Sequence, residues 1–280
     1  MMKFLFPLIL LSSAVLADTQ ADIEYAKVGE TSLKLDLHRP QGENPPLIVY
    51  VHGGGWRAGS KKDVPIADLY DKGFAIASVE YRLSTQAVFP AQAHDIKAAI
   101  RFLRANAGLF HLNATKIAII GSSAGGHLAA LVGVTNGSKE LEGKLGEHLD
   151  QSSNAQAIVS YYGASNLATI LSQSTPQGLD FRIPALKLLL GDTPDKKPAL
   201  AKLASPVDHL DKNDPPLLLI HGDADPQMPP QQSQELAKAY QALGLPVTLL
   251  LLPGSLHGGS EFYNDERTSL VAKFLDKVLR

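Results

Sequence analysis

The chain has 280 residues, of which 45% are apolar, and carries a formal net charge of −2 at pH 7. A chain of this length and apolar content can bury one large core, so we expect a single domain over residues 18–280. The small net charge gives no electrostatic reason to expect nucleic acid or an anionic membrane surface as a partner. Because the chain has no cysteine, a thiol nucleophile, disulfides and thiolate metal sites are excluded.

The N-terminal segment, residues 1–17, has the features of a secretory signal peptide. Lys3 supplies a positive charge, residues 4–16 form an apolar run, and Ala17 is a small residue before the polar Asp18. The apolar run is shorter than the roughly 20 residues that a membrane-spanning helix needs, and no later segment qualifies. We therefore expect cleavage near Asp18 and export to a periplasm or beyond, without a stable membrane anchor. A retained signal anchor is the alternative.

Strand and helix patterns alternate along the rest of the chain. Apolar patterning predicts strands at 32–38, 47–51, 74–80, 116–120, 156–161, 217–221 and 247–252, the first of them an edge strand. Helical periodicity is found at 91–104, 231–243 and 269–279. This order predicts an α/β fold with a mostly parallel central sheet and helices on both faces.

A glycine-rich loop follows the strand predicted at 47–51. It reads His52-Gly53-Gly54-Gly55-Trp56, and its glycines allow the backbone to approach a substrate and to turn two amides toward one point. We predict that Gly54 and Gly55 donate hydrogen bonds to an oxyanion. His52 is expected to be structural, whereas Trp56 could either pack beneath the loop or form one wall of an acyl pocket.

The pentapeptide Gly121-Ser122-Ser123-Ala124-Gly125 follows the apolar strand predicted at 116–120. A GxSxG motif between a strand and a helix is typical of the nucleophile elbow of α/β-hydrolases. The serine lies on a sharp turn, so the positions two residues before and two residues after it must be nearly free of side chain. We predict Ser123 as the nucleophile and the amide of Ala124 as a third oxyanion donor.

The other two members of a catalytic triad are expected after later strands, because this fold takes them in the order Ser, Asp or Glu, His. Asp225 and His257 each lie a few residues past one of the last two predicted strands. The carboxyl ends of parallel strands share one edge of the sheet, so both should meet Ser123 there. We assign His257 as general base and then acid, and Asp225 as the group that orients it. Asp223 is the alternative, although a turn-forming role suits it better.

Residues 165–214 form a long insertion between two predicted strands, and insertions of this length are usually functional. It could consist of packed helices that cover the sheet, of a partial lid over Ser123, or of both. Near the predicted site, Arg82 is expected to form a structural ion pair with Asp95 or Glu80.

These motifs together resemble the α/β-hydrolase esterases with an HGGGW loop, especially bacterial feruloyl and acetyl xylan esterase-like proteins, with kynurenine formamidases as neighbours. The resemblance covers most of the mature chain. In the related families the second glycine of the loop and the residue after it supply oxyanion amides, which implies Gly54 and Gly55. One departure is Gly254-Ser255-Leu256 before His257, where relatives often have a compact Gly-x-Gly-His.

We therefore expect a serine carboxylic-ester hydrolase that works through an acyl-enzyme, with no cofactor and no metal. The resemblance implies acetyl or aromatic acyl esters of carbohydrate as substrates. Formamide hydrolysis is the first alternative, and export argues against it because that pathway is intracellular. A peptidase like those of the prolyl oligopeptidase families is a further alternative, and the lack of a propeller domain disfavours it. A non-catalytic binding module is disfavoured because all three triad positions have candidates.

Overall fold

Eight strands form one sheet in residues 18–280, which are the residues that this computed structural model describes. The predicted signal peptide at 1–17 lies outside the described residues and stays a prediction. The strands are β1 (Asp18–Val28), β2 (Thr31–Arg39), β3 (Pro46–Val51), β4 (Ala75–Val79), β5 (Asn113–Ser122), β6 (Ala157–Tyr161), β7 (Leu217–Gly222) and β8 (Val247–Leu252). Their order in the sheet is β1-β2-β4-β3-β5-β6-β7-β8.

The sheet is mostly parallel, as predicted. Only β2 pairs antiparallel, with β1 on one side and β4 on the other, and the five remaining neighbouring pairs are parallel. The prediction of an edge strand at 32–38 was wrong, because β1 lies outside β2. The sequence signal for β1 is weak, since its first five residues are all exposed and its pairing with β2 shifts register twice.

Helices cover both faces of the sheet. They are α1 (Ala91–Ala105), α2 (Ala124–Val134), α3 (Lys139–Glu142), α4 (Ile170–Gln173), α5 (Pro176–Leu190), α6 (Pro198–Leu203), α7 (Gln231–Ala242) and α8 (Asp265–Leu279). Every residue of β3 is buried: Leu47, Val49 and Val51 join one hydrophobic cluster, and Ile48 and Tyr50 join the other. Burial on both faces explains why these strands have continuous apolar sequences rather than alternating ones.

The insertion at 165–214 contains α4, α5 and α6. Its buried residues Leu186, Leu189 and Leu190 belong to the same hydrophobic cluster as the apolar residues of α1 and α2. The backbone of the insertion is also tied to the chain before α1, because the Phe89 N–H donates to the Leu189 carbonyl at 2.8 Å.

None of the helices formed by residues 18–280 combines the length and the apolar character that crossing a bilayer requires.

The order of the strands determines what surrounds the end of β5. The loop after β3 lies on one side of it, since Val51 pairs with Gly121. The loops after β6, β7 and β8 lie in turn on the other side. These loops carry the residues described next.

Candidate active site

Ser123 lies between β5 and α2 in a backbone conformation that residues with side chains rarely adopt. Its φ is 55° and its ψ is −118°, and such strained turns are concentrated at functional sites. The turn needs the glycines on either side. A Cβ at Gly121 would overlap the carbonyl of Gly125, and a Cβ at Gly125 would overlap the carbonyls of Val51 and His52. The GxSxG spacing therefore has a steric cause in this structure.

The structure brings the three predicted triad residues together at the carboxyl edge of the sheet. The Ser123 Oγ lies 2.8 Å from the His257 Nε2, and the His257 Nδ1 lies 2.6 Å from the Asp225 Oδ2. With the Nδ1 proton directed at a carboxylate, the Nε2 is left free to accept the serine proton. This is the geometry of a nucleophile, a base and an orienting acid.

Asp225 is held as a carboxylate by its hydrogen bonds. Its Oδ1 accepts the backbone N–H groups of Gln227 and Met228, both at 2.8 Å. Its Oδ2 lies 3.3 Å from the Nε2 of His221, in addition to the His257 contact. Burial opposes ionisation, but the hydrogen bonds from His221 and His257, the electrostatic attraction to the His257 ring and the backbone donor outweigh it. The pKa of Asp225 is therefore held well below its usual range.

Asp223 occupies a different position. It is exposed, and its Oδ1 accepts the N–H of Gly254 at 2.7 Å, so it joins the loop after β7 to the turn after β8. Within residues 18–280, the hydrogen bond of its carboxylate is to this backbone N–H and not to the imidazole of His257. This arrangement matches the turn-forming role expected for Asp223.

The predicted oxyanion donors surround Ser123. The glycine loop packs directly on the elbow, since a Cβ built on Gly53 would lie 3.5 Å from the Ser123 Cβ. Gly54 and Gly55 follow with φ of 104° and 60°. Ala124 is the first residue of α2, where backbone N–H groups have no acceptor within the helix. All three amides thus lie in segments that adjoin the nucleophile.

Trp56 packs beneath the loop, which was one of the two roles considered for it. Its relative exposure is 0%, and its indole N–H donates to the Nδ1 of His127 at 3.0 Å. The Nε2 of His127 in turn lies 2.6 Å from the carbonyl of Ala204 in the insertion. Since an indole N–H only donates and a carbonyl only accepts, His127 is neutral with its proton on Nε2. Burial lowers the pKa of His127 to about 4.

Two further groups brace the glycine loop. The His52 Nδ1 lies 2.8 Å from the carbonyl of Gly53, and its ring stacks on Tyr81 at 4.4 Å between centroids. Arg82 forms a two-pronged ion pair with the buried Asp95, one of the two partners predicted for it. The segment that follows Arg82 is bonded to the glycine loop, because the Ser84 N–H donates to the Trp56 carbonyl at 2.7 Å.

A chain of buried hydroxyl groups behind the triad was missed by sequence reasoning. The Tyr50 hydroxyl donates to Ser122 at 3.1 Å, Ser122 contacts Tyr263 at 2.8 Å, and Tyr263 contacts Tyr162 at 2.5 Å. The Tyr162 ring packs against the imidazole of His257, with 4.8 Å between centroids. The position of Tyr162 after β6 could have indicated it, whereas Tyr263 gives no local signal.

Helix α5 of the insertion contacts the loop that carries Asp225. The Thr175 hydroxyl donates to the Pro226 carbonyl at 3.1 Å, and the Arg182 guanidinium donates to the Gln227 carbonyl. Burial lowers the pKa of Arg182 to about 10, which leaves it protonated at neutral pH and electrostatically attracted to Asp225.

Among residues 18–280, no cluster of three or more His, Asp or Glu side chains has the arrangement of a metal site.

The fold and these loops define an α/β-hydrolase. The chain belongs to the BD-FAE family, whose model matches residues 35–240. Among curated proteins it is similar to Esterase LipC of Mycobacterium tuberculosis, with 32% identity over 243 residues. The aligned part covers 84% of this chain but only 59% of LipC, so the chain spans about three-fifths of that relative.

Solved structures show the same fold over nearly the whole chain. A truncated form of a carbohydrate esterase from gut microbiota has a TM-score of 0.86 and 32% identity, over 95% of this chain and 98% of its own. The bifunctional GH43-CE of Bacteroides eggerthii has a TM-score of 0.83 and 34% identity, over 92% of this chain and 35% of its own. The α/β-hydrolase fold predicted from the sequence is confirmed, and the kinship with kynurenine formamidases stays a prediction.

The buried neutral His127 predicts a loss of stability in acid. Its pKa is about 4 in the folded chain and 6.5 when unperturbed, so between these values protons bind the unfolded state preferentially. The free energy of unfolding should therefore fall as the pH drops from about 6.5 to about 4, by about 3 kcal/mol from this residue. Glutamine does not titrate, so His127→Gln lacks this pH dependence. Urea unfolding of both proteins should show that the free energy of unfolding of the wild type, minus that of the variant, decreases by that amount from pH 6.5 to pH 4. A difference that stays constant over this pH range would contradict the assignment.

Proposed function

We propose that this protein is a serine carboxylic-ester hydrolase that works through an acyl-enzyme. The observation that carries the proposal is the hydrogen-bonded series from Ser123 through His257 to Asp225, with heavy-atom distances of 2.8 Å and 2.6 Å. It is supported by the position of Ser123 beside a loop with two successive glycines of positive φ. The similarity to an esterase and to a carbohydrate esterase agrees with it.

In the proposed reaction, the Ser123 Oγ attacks the ester carbonyl carbon while its proton passes to the Nε2 of His257. The tetrahedral intermediate collapses as the bond from carbon to the alcohol oxygen breaks, and His257 returns the proton to that oxygen. Water then attacks the acyl-serine with His257 again acting as base, which releases the carboxylic acid and restores Ser123. Asp225 stabilises the imidazolium that forms in both steps.

The charge that develops on the carbonyl oxygen needs hydrogen-bond donors at fixed positions. We assign this role to the backbone N–H groups of Gly54, Gly55 and Ala124. Backbone donors need no reorganisation during the reaction, and each would contribute roughly 10²- to 10³-fold in rate. The ion pair of Arg82 with Asp95 and the packing of Trp56 hold the loop that carries two of them.

The substrates that we propose are short acyl or aromatic esters of carbohydrates. The likeness to a structure described as a carbohydrate esterase supports this choice, as does the resemblance in the HGGGW and GxSxG motifs.

We also propose that the enzyme acts after export, because residues 1–17 combine a basic start with an apolar run. N-terminal sequencing of the protein recovered from a bacterial periplasm would test cleavage before Asp18.

Ester hydrolysis should depend on Ser123. We expect the chain from residue 18 onward to hydrolyse p-nitrophenyl acetate, methyl ferulate or acetylated xylo-oligosaccharides. Ser123→Ala should lower kcat/KM by at least about 10⁴-fold, because the nucleophile is removed while binding is kept. Ser122→Ala is the matched control, since the Ser122 hydroxyl bonds to tyrosines and not to His257. Full activity of Ser123→Ala, or no hydrolysis of any ester by the wild type, would contradict the proposal.

The two candidate acids should differ sharply in their effects. Asp225→Asn should lower kcat by up to about 10⁴-fold, because an amide no longer favours the imidazole tautomer that leaves Nε2 unprotonated. Asp223→Asn should lower it by less than about tenfold, since the Asp223 carboxylate accepts the Gly254 N–H rather than an imidazole N–H in the part of the chain that the structure describes. Steady-state kinetics of both variants, with circular dichroism to establish folding, makes the comparison. Equal losses in the two folded variants would show that Asp225 has no special role.

A further inference from the structure

Phe181 of helix α5 lies against the glycine loop. A Cβ built on Gly55 would lie 3.0 Å from the Phe181 Cζ and 3.4 Å from its Cε1, so the ring would have to shift by a few tenths of an ångström to admit a methyl group there. Gly55 is buried, whereas the preceding Gly54 is exposed. Phe181 itself is only partly buried, so part of its ring remains accessible at this point of the molecule.

Two arginine side chains, one from each side of the site, contact the Phe181 ring. The Arg57 guanidinium, from the segment after the glycine loop, lies 5.0 Å from the ring centroid, and the neighbouring Arg182 lies 5.8 Å from it. Both distances are within the range of cation–π attraction. Arg182 is buried and donates to the Gln227 carbonyl in the loop that carries Asp225. Phe181 is thus a positioned aromatic wall rather than a free surface side chain.

The strand order indicates which part of an ester would meet this wall. The glycine loop follows β3, on one side of the nucleophile strand β5, whereas Asp225 and His257 follow β7 and β8 on the other side. His257 must reach the alcohol oxygen to protonate it, so the alcohol lies on the side of β7 and β8. With the carbonyl oxygen bound by the amides assigned above and the alcohol oxygen facing His257, the acyl group is the remaining substituent of the reacting carbon. The residue of the glycine loop that Phe181 contacts is Gly55, so the ring lies where an acyl group beside the proposed oxyanion donors would extend.

We propose that Phe181 is a specificity-determining residue that limits the length of the acyl group. Of the two substrate classes proposed above, it favours acetyl esters over aromatic acyl esters, and it likewise favours acetyl over longer alkyl chains. This inference rests on the proposed esterase function of Ser123. The acetyl methyl group packs against the aromatic ring, and each further methylene must displace a ring that Arg57 and the packing of α5 hold in place. The Phe181→Ala substitution removes the ring, and with it the proposed limit on the length of the acyl group.

The test uses p-nitrophenyl acetate, butyrate and octanoate, which share one alcohol and differ only in the acyl group. The wild type should have its highest kcat/KM for acetate. Phe181→Ala should shift the octanoate-to-acetate ratio of kcat/KM by at least about tenfold toward octanoate, a size that matches the discrimination of small apolar groups by a pocket. Phe181→Leu, which keeps an apolar side chain if the alanine variant folds poorly, should give a smaller shift in the same direction.

Two controls separate this effect from a general disturbance. Leu188→Ala changes an apolar residue of the same helix that is 38% exposed, and its ratio should equal that of the wild type. A second series keeps the acetyl group and changes the alcohol, from p-nitrophenol to an acetylated xylo-oligosaccharide. Its ratio should be the same in Phe181→Ala and in the wild type.

Three results would overturn the proposal. An acyl-length ratio within about twofold of the wild type in the folded Phe181→Ala and Phe181→Leu variants would show that the ring sets no limit. A shift confined to the alcohol series would place Phe181 on the other side of the substrate. If the wild type hydrolysed no ester at all, the proposed esterase function itself would be wrong, and the Phe181 proposal with it. In the first two cases the wild type still hydrolyses esters, so only the proposal about Phe181 fails.

Discussion

The left-handed backbone of Ser123 is the constraint on which the rest of the site depends. A residue with a side chain in this conformation carries a strain of about 1–3 kcal/mol, so the surrounding structure must hold it. The Ser123 N–H donates to the Tyr161 carbonyl at 2.9 Å, and its own carbonyl accepts the His127 N–H at 3.0 Å. Gly125 brings α2 so near to β3 that a Cβ would overlap the Val51 carbonyl. The same close approach places the glycine loop beside the nucleophile.

The electrostatics of the site follow from where each charge is buried. Asp225 has lost its solvent contacts but has gained two backbone donors and the rings of two histidines, and so it stays ionised. An ionised acid next to His257 would stabilise the imidazolium that the proposed ester cleavage requires. His127, which lies behind the glycine loop, is held neutral instead, because its partners are one N–H donor and one carbonyl. The two histidines differ in role because their surroundings differ.

The insertion connects the two loops that the proposed chemistry requires. Helix α5 contacts the acid loop through Thr175 and Arg182 and the glycine loop through Phe181. Its apolar residues are at the same time part of the main hydrophobic cluster. A helix anchored in this way holds the loops at a fixed separation, and the same helix supplies a wall of the proposed substrate site.

Much of this arrangement could be predicted from the sequence because its signals are local. The fold class follows from strand and helix periods, and the spacing of Gly121, Ser123 and Gly125 follows from the sterics of one turn. Features that depend on distant contacts could not be predicted. Ser122 and Tyr263 are 141 positions apart, and the polar start of β1 lacks the pattern of a buried strand. The role of Trp56 was undecided because it depends on His127, 71 positions away.

We propose that Ser123 carries the acyl group between the two steps of the reaction. Rapid acid quenching of the enzyme mixed with p-nitrophenyl acetate, followed by peptide mass spectrometry, tests it directly. We expect one acetyl group per chain, on the peptide that contains Ser123, formed together with the first release of p-nitrophenol and absent from Ser123→Ala. Hydrolysis with no acylated peptide at any quench time, or acylation at a different residue, would contradict it.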